Sequence, residues 1–399
     1  MSAINIVPGP TQTPLPPPLG RNQVGWRIAR AGAVVATVAL IICLVLWPAK
    51  ALFVMWNLLI PVLPATFLIA PQLWRGICPL ATLNQLSNGL FGRRQLRGRL
   101  LIAANVVGML LFALLVPARR FFFNDNGPAL AATIVIVALA ALFLGALFDS
   151  RAGFCNAICP ILPVERLYGQ HPLLKMDNRR CVKCTHCIPK GCLDIDPAKS
   201  IAQAIGQAVG QHHWLSTAYG IFAAALPGFI IGYYTTSDAS WSAAPDVYLW
   251  VAICSAGSYC ATTIVVRVLG LTDPVALALL AALAVALYYW WTVPLIAESL
   301  DVPATGVLVG RGAALALVAY WLVQTWPRLR DDRRKVASCY EPAPETQTAE
   351  SKEKPAGEQN RLLELPMLWD SRLGEEHGIE QGPQSALDVP AAAGKKTKH

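Results

Sequence analysis

Eight stretches of the chain are apolar with almost no interruption, at about residues 28–48, 51–70, 100–117, 129–148, 214–234, 247–266, 274–297 and 304–326. None alternates with the two-residue period of a half-buried strand, and none carries the polar stripe of a surface helix. A helix rises about 1.5 Å per residue, so segments of this length cross a hydrocarbon layer of ~30 Å. The pattern predicts an all-α polytopic membrane protein with about eight transmembrane helices. One further helix is predicted outside the spans. Asp196-Pro197 makes an N-cap followed by proline, and Ile201, Ile205 and Val209 then recur every four residues, with Gln203, Gln207 and Gln211 on another face. That is a short interfacial helix leading into the fifth span.

Polar segments between the spans set the direction of the chain. Arg21, Arg27 and Arg30 precede the first span, and Arg75, Arg93, Arg94, Arg97 and Arg99 lie between the second and third. Arg151, Arg166, Lys175, Arg179, Arg180, Lys183, Lys190 and Lys199 fill the loop after the fourth, and Arg328, Arg330, Arg333, Arg334 and Lys335 follow the eighth. The opposite side offers only Lys50, Arg119 and Arg120. The positive-inside rule then places both termini in the cytosol, and an even number of spans agrees, since it puts them on one side. The net charge of +9 is therefore a matter of topology, and no nucleic-acid partner is implied. Five segments follow: a Pro-rich leader at 1–24 read as disordered, spans one to four at 25–148, a cytosolic loop with its interfacial helix at 149–213, spans five to eight at 214–326, and a polar tail at 327–399 also read as disordered. Membrane lipid is the first partner, and the place expected for such a chain is the bacterial inner membrane.

Cysteine brings in chemistry. Cys181, Cys184 and Cys187 follow one another at two-residue spacing, and Cys192 comes after a gap of four. Such a run wraps backbone around one face of an iron–sulfur cube, so that three thiolates reach three irons. Structural zinc prefers two separated pairs of ligands, and a cytosolic loop keeps its thiols reduced, which argues against disulfides. Two further turns point to the same side of the membrane. Arg75-Gly-Ile-Cys78-Pro79-Leu80 after span two and Asn156-Ala-Ile-Cys159-Pro160-Ile161 after span four read as copies of one unit. Cys155 precedes the second copy, where the first has Trp74. Seven cysteines thus gather at one face.

In two-cluster ferredoxins the last cysteine of a run crosses to the other cluster. By that logic Cys181, Cys184 and Cys187 hold one cluster, completed by His186, Asp194, water or a partner residue. Cys192 joins Cys78, Cys155 and Cys159 on a second. One cluster with the remaining cysteines structural is the alternative. Cys43, Cys254, Cys260 and Cys339 are expected to be small buried apolar residues.

These residues resemble the membrane-bound polyferredoxins, a 4Fe-4S family that serves denitrification and respiratory-oxidase assembly. The likeness rests on Cys155-Asn-Ala-Ile-Cys159-Pro160, the reduced Ile77-Cys78-Pro79 copy and Cys181 to Cys192, and covers roughly residues 50–200. It implies a small cytosolic ferredoxin-like iron–sulfur loop, two [4Fe-4S] clusters, a quinone, and a partner oxidoreductase or electron donor on the cytosolic side. The resemblance implies no covalent flavin, because the chain has no Ser/Thr-Gly-Ala-Ser/Thr motif.

Other chemistry is scarce. None of the six histidines (His171, His186, His212, His213, His377, His399) falls inside a span, so this chain alone cannot hold a bis-His haem in the bilayer. No glycine-rich phosphate loop is present. Arg311, inside span eight, is the one deep charge, expected to snorkel outward or to pair with Glu298 or Asp301. Three functions remain open: electron transfer, with a quinol dehydrogenase or metal-reductase component as the enzyme roles it would allow, assembly or redox sensing for a respiratory metalloenzyme, and transport with incidental metal binding.

Overall fold

The computed structural model describes residues 21–87, 90–91, 98–148, 153–174, 197–205, 212–238 and 240–329. Among them the regular structure is helical, with no strand. Eight helical stretches are long and apolar enough to cross a membrane: Val24–Leu46, Pro48–Ile69, Leu100–Arg120, Gly127–Leu147, Ala218–Thr235, Trp241–Val268, Asp273–Ser299 and Ala304–Thr325. They coincide with the eight apolar runs to within a few residues. The sixth starts earlier because a 3-10 turn at Trp241–Ala243 feeds straight into its helix. The leader before residue 21, the run Cys181–Cys192, Cys339 and the tail from 330 lie outside the described residues.

In chain order the helices are α1 (Arg21–Leu46), α2 (Pro48–Val54), α3 (Ile60–Ile69), α4 (Pro71–Ile77), α5 (Pro79–Leu86), α6 (Gly98–Leu115), α7 (Gly127–Leu147), α8 (Leu162–Tyr168), α9 (Pro197–Ile205), α10 (Ala218–Thr235), α11 (Ala244–Val268), α12 (Asp273–Ser299) and α13 (Ala304–Thr325). Their starts obey ordinary capping chemistry. Asn126 accepts the Ala129 N–H at 3.0 Å ahead of Pro128, and Thr217 accepts the Gly220 N–H at 3.0 Å. The fifth and seventh spans are the most buried and form the centre, with α11 packed along α10 and α13 along α12. Two apolar cores result. One joins Leu44, Ala51, Leu52, Leu130 and Ala131 of the first, second and fourth spans. The larger joins Phe67, Leu68, Leu167, Tyr168, Ile201, Ile205, Trp214, Leu277 and Trp321.

Three spans carry an internal proline, Pro64, Pro227 and Pro294, and at the first and last of these a side chain mends the interruption. In span two, α2 and α3 are joined by a π-helical turn at Met55–Leu59, with Pro61 and Pro64 following. Proline supplies no N–H and its ring crowds the carbonyl four residues back. There the Tyr289 hydroxyl donates to the Pro61 carbonyl at 2.8 Å and accepts the Ala65 N–H at 3.0 Å, bridging the two ends of one helical step. In span seven, Pro294 leaves the Trp290 carbonyl without its usual partner. Arg311 Nε donates to that oxygen at 2.9 Å, and its guanidinium lies 4.2 Å from the centre of the Trp290 ring. Arg311 thus repairs a proline gap; its partner is Trp290, and neither Glu298 nor Asp301 pairs with it among the described ion pairs.

Arg119 and Arg120, the two arginines that end the third span, are also engaged locally. Arg119 stacks 4.6 Å over the Trp56 ring and donates to the Tyr233 hydroxyl at 2.9 Å, and Arg120 pairs with Asp238 at 2.8 Å. Cys43 and Cys254 are partly buried as expected, whereas Cys260 is exposed on the outer face of α11, where its small apolar thiol needs no partner.

Candidate functional site

The two Cys-Pro turns are built alike. Cys78 links α4 to α5 and has φ −53° and ψ 123°; Cys159 precedes α8 and has φ −57° and ψ 122°. Proline at the next position disfavours the helical region for the residue before it, and both cysteines take the same extended conformation, whereas Ile60 and Val116 stay helical before Pro61 and Pro117. The helix behind each differs by one residue. The Cys78 N–H bonds the Trp74 carbonyl at 2.8 Å, four residues back. The Cys159 N–H bonds the Phe154 carbonyl at 3.0 Å, five back, which closes a π turn over Phe154–Ile158 and places Cys155 within it. The repeat read from the sequence is thus matched at the backbone of both cysteines.

Neither turn is a surface loop. A Cβ on Gly108 of α6 would stand 3.0 Å from the Ile158 carbonyl oxygen and 3.2 Å from that of Cys159, so α6 runs directly against the second turn. On the first, Asn84 Nδ2 donates to the Ala141 carbonyl at 2.8 Å and Ser87 Oγ to that of Leu142 at 2.6 Å, pinning α5 to α7. Arg30, buried within α1, donates from Nε to the Gly76 carbonyl at 2.8 Å, a helix-end acceptor that α4 leaves open where it breaks at Cys78. A buried polar group joins the two turns. Arg75 donates from Nη2 to Asn156 Oδ1, and its Nη1 lies 3.5 Å from Glu165 Oε2. Arg166 extends the network, donating to Asn105 Oδ1 at 2.7 Å and to Ser200 Oγ at 3.1 Å. The latter bond secures α9, whose Ile201 and Ile205 enter the larger core, so this helix packs inward and does more than lie at an interface.

Burial pushes the Cys159 thiol up to about 12, and the charges of Cys78 and then Glu165 push the same way, against backbone N–H groups of Ile161 and Leu162 that favour the thiolate. Cys78 and Cys159 are therefore close enough that ionising one opposes ionising the other. The Cys159 thiol stays protonated near neutral pH unless a cation arrives, and a coordinating metal deprotonates its thiol ligands outright. By donor type and by charge, the two residues fit a thiolate-ligated metal centre. Among the described residues no group of three or more His, Cys, Asp or Glu comes together to hold a metal. What is described is a pair of thiols with Cys155 in the adjoining turn; Cys181, Cys184, Cys187, Cys192, His186 and Asp194 lie outside it.

The sequence reading did not single out Arg30, Arg75, Asn156 or Glu165, and assigned the two arginines to topology. One signal could have found two of them: Arg75 and Asn156 occupy the same place in the two copies, three residues before the cysteine. No protein-family model, curated protein or solved structure matches this chain.

Proposed function

We propose that this chain is a membrane-bound iron–sulfur electron-transfer protein, relaying electrons between the quinone pool or a cytosolic donor and a partner oxidoreductase. The observation that carries the reading is the convergence of Cys78 and Cys159 on matched, rigid turns, in a chain that also contains the run Cys181, Cys184, Cys187 and Cys192. Cys181, Cys184 and Cys187 would hold one [4Fe-4S] cluster, and Cys78, Cys155, Cys159 and Cys192 the second. Bound there, the clusters supply one-electron chemistry. The chain contributes stiff backbone at Cys78 and Cys159, partly buried thiols, and N–H groups of Ile161 and Leu162 that favour the Cys159 thiolate. Positive-inside charge would put this face in the cytosol of a bacterial inner membrane, where thiols stay reduced.

The test is anaerobic purification with iron and sulfide counts and low-temperature EPR. Cys184→Ala should abolish one signal, and Cys78→Ala and Cys192→Ala should each remove about half the iron and spare the other signal, as expected of a crossing cysteine. Unchanged iron in all three variants would sink the assignment. Bound iron that no quinol analogue reduces would favour assembly or sensing over electron transfer.

A further inference from the structure

The two Cys-Pro turns touch through equivalent residues. Arg75 precedes Cys78 by the same three positions as Asn156 precedes Cys159, and the side chains of these two counterparts bond each other. Contact between equivalent positions is the mark of a local two-fold relation, and the matched φ and ψ of the two cysteines agree with it. The symmetry is broken in a useful way. One counterpart is a guanidinium, which hydrogen-bonds Asn156 through one nitrogen and faces a carboxylate with the other. That carboxylate, Glu165, lies six residues beyond Cys159, inside α8. Arg75 therefore holds the second turn from both sides of its cysteine while standing in the helix that ends at Cys78. Arg75, Asn156 and Glu165 are all buried. Arg30 fixes the helix that carries Arg75 from the opposite side, through the Gly76 carbonyl.

We propose that Arg75 is the positioning residue that sets the separation of Cys78 and Cys159 across this local two-fold, making the two turns one preformed half of a metal-binding site. The inference rests on the reading that both thiols serve one metal centre. It adds that their spacing is fixed by the protein before any metal binds. In this role Arg75 acts through Asn156 and Glu165.

The experiment uses the full-length chain in detergent, stripped of iron under reducing conditions, and dibromobimane, a short reagent that bridges two thiols. Peptide mass spectrometry measures the Cys78–Cys159 bridged product. The wild-type chain should give this product. Arg75→Met should lower its yield about tenfold, the size of change that one charged hydrogen bond makes in a two-state population. Arg75→Lys should fall between them, because an ammonium keeps the charge opposite Glu165 and loses the second nitrogen. Asn156→Leu should resemble Arg75→Lys. If Arg75→Met does not fold, the Arg75→Lys and Asn156→Leu yields decide. Wild-type yield in every variant that folds, or no bridged product in the wild-type chain, overturns the proposal. Iron counts on the same preparations separate the two ideas. A chain that never binds iron and still shows the graded bridging refutes the electron-transfer reading and leaves Arg75 as the spacer of a thiol pair. A chain that binds iron and bridges equally in all variants refutes the spacer.

Discussion

Replacing Tyr289 by Phe removes one oxygen atom and leaves the ring, so it isolates the bond that joins the two halves of the molecule across span two. That oxygen donates to Pro61 and accepts from Ala65 at ordinary hydrogen-bond lengths. Side-chain hydrogen bonds inside membrane proteins average about 0.6 kcal/mol and reach about 1.7 kcal/mol at most. Two such bonds bound the loss between about 1 and 3 kcal/mol, and local structure decides where in that range it falls. If the helix could close, the Ala65 N–H would bond the Pro61 carbonyl directly, and the variant would lose little. Pro64 has no N–H for the Ile60 carbonyl, and its ring holds the helix open at that point. The π turn at Met55–Leu59 has already shifted the register just before it. Re-closure is thus obstructed, and we expect a loss in the upper half of the range. Reversible unfolding in mixed micelles, with Tyr288→Phe for comparison, measures it. A change under about 0.3 kcal/mol, below the average single bond, would show that the hydroxyl carries no load. The view that Tyr289 couples spans five to eight to the Cys78 arm would then fail.

Two further outcomes can be checked. Gly145→Ala drives a Cβ into the Asn84 carbonyl oxygen and to 2.5 Å from Ser87 Oγ, so α5 must withdraw from α7; the expected loss is about 2–3 kcal/mol, against a small gain of about 0.5–1 kcal/mol for Gly25→Ala within α1, whose Cβ meets nothing within 4 Å. In the iron-free chain the Cys159 thiol should react with iodoacetamide at pH 9 more slowly than in the unfolded chain and speed up towards its raised value of about 12, while remaining accessible enough for slow bridging to Cys78. A folded value above the unfolded one means that this contribution to stability is fully present below the ordinary thiol pKa and is lost as pH rises from there through about 12; alkylation of Cys159 at the unfolded rate at pH 9 would refute the burial argument.

The spans were legible because nothing in the chain competes with their hydropathy, and because a bilayer admits helices as the simplest way to satisfy every backbone group. The Cys-Pro turns were legible for a local reason. Proline biases the residue before it away from the helical region, so two Ile-Cys-Pro triplets that end helices favour one extended conformation. Arg30 and Arg75 were not legible, since charge counting treats an arginine near a span as a topological signal and cannot see a carbonyl or a carboxylate that waits inside. Arg30 lies within the first helix and is buried there. Arg311 shows the same blindness in reverse. Its sequence neighbours suggested an acidic partner, and the real one is a carbonyl opened by Pro294, a residue seventeen positions away on another helix. The extra residue of the π turn before Cys159 was hidden as well, because it changes hydrogen-bond register without changing the motif.

Spans five to eight present no cysteine turn, and their contacts explain what they contribute. The stretch 162–174 enters the bundle beside Cys159 as one short helix followed by irregular chain. Main-chain carbonyls there would be stranded in an apolar setting, at a cost of several kcal/mol each. The second half supplies the missing donors one by one. The Tyr219 hydroxyl reaches the Pro163 carbonyl at 3.1 Å, Trp321 Nε1 the His171 carbonyl at 2.8 Å, and Arg328 Nη1 the Pro172 carbonyl at 3.5 Å. Gln170 works in the other direction, donating to the Leu277 carbonyl at 3.1 Å. Leu173 and Leu174 then turn their own N–H groups to the Leu68 and Ile69 carbonyls, which the end of α3 leaves open. The stretch that carries Glu165 is therefore fastened to α10, α12 and α13 on one side and to span two on the other. Span two leads directly into the helix of Arg75 and Cys78. A load applied to any one of these contacts is shared by both cysteine turns, which is the mechanical condition for two thiols distant in sequence to keep one spacing.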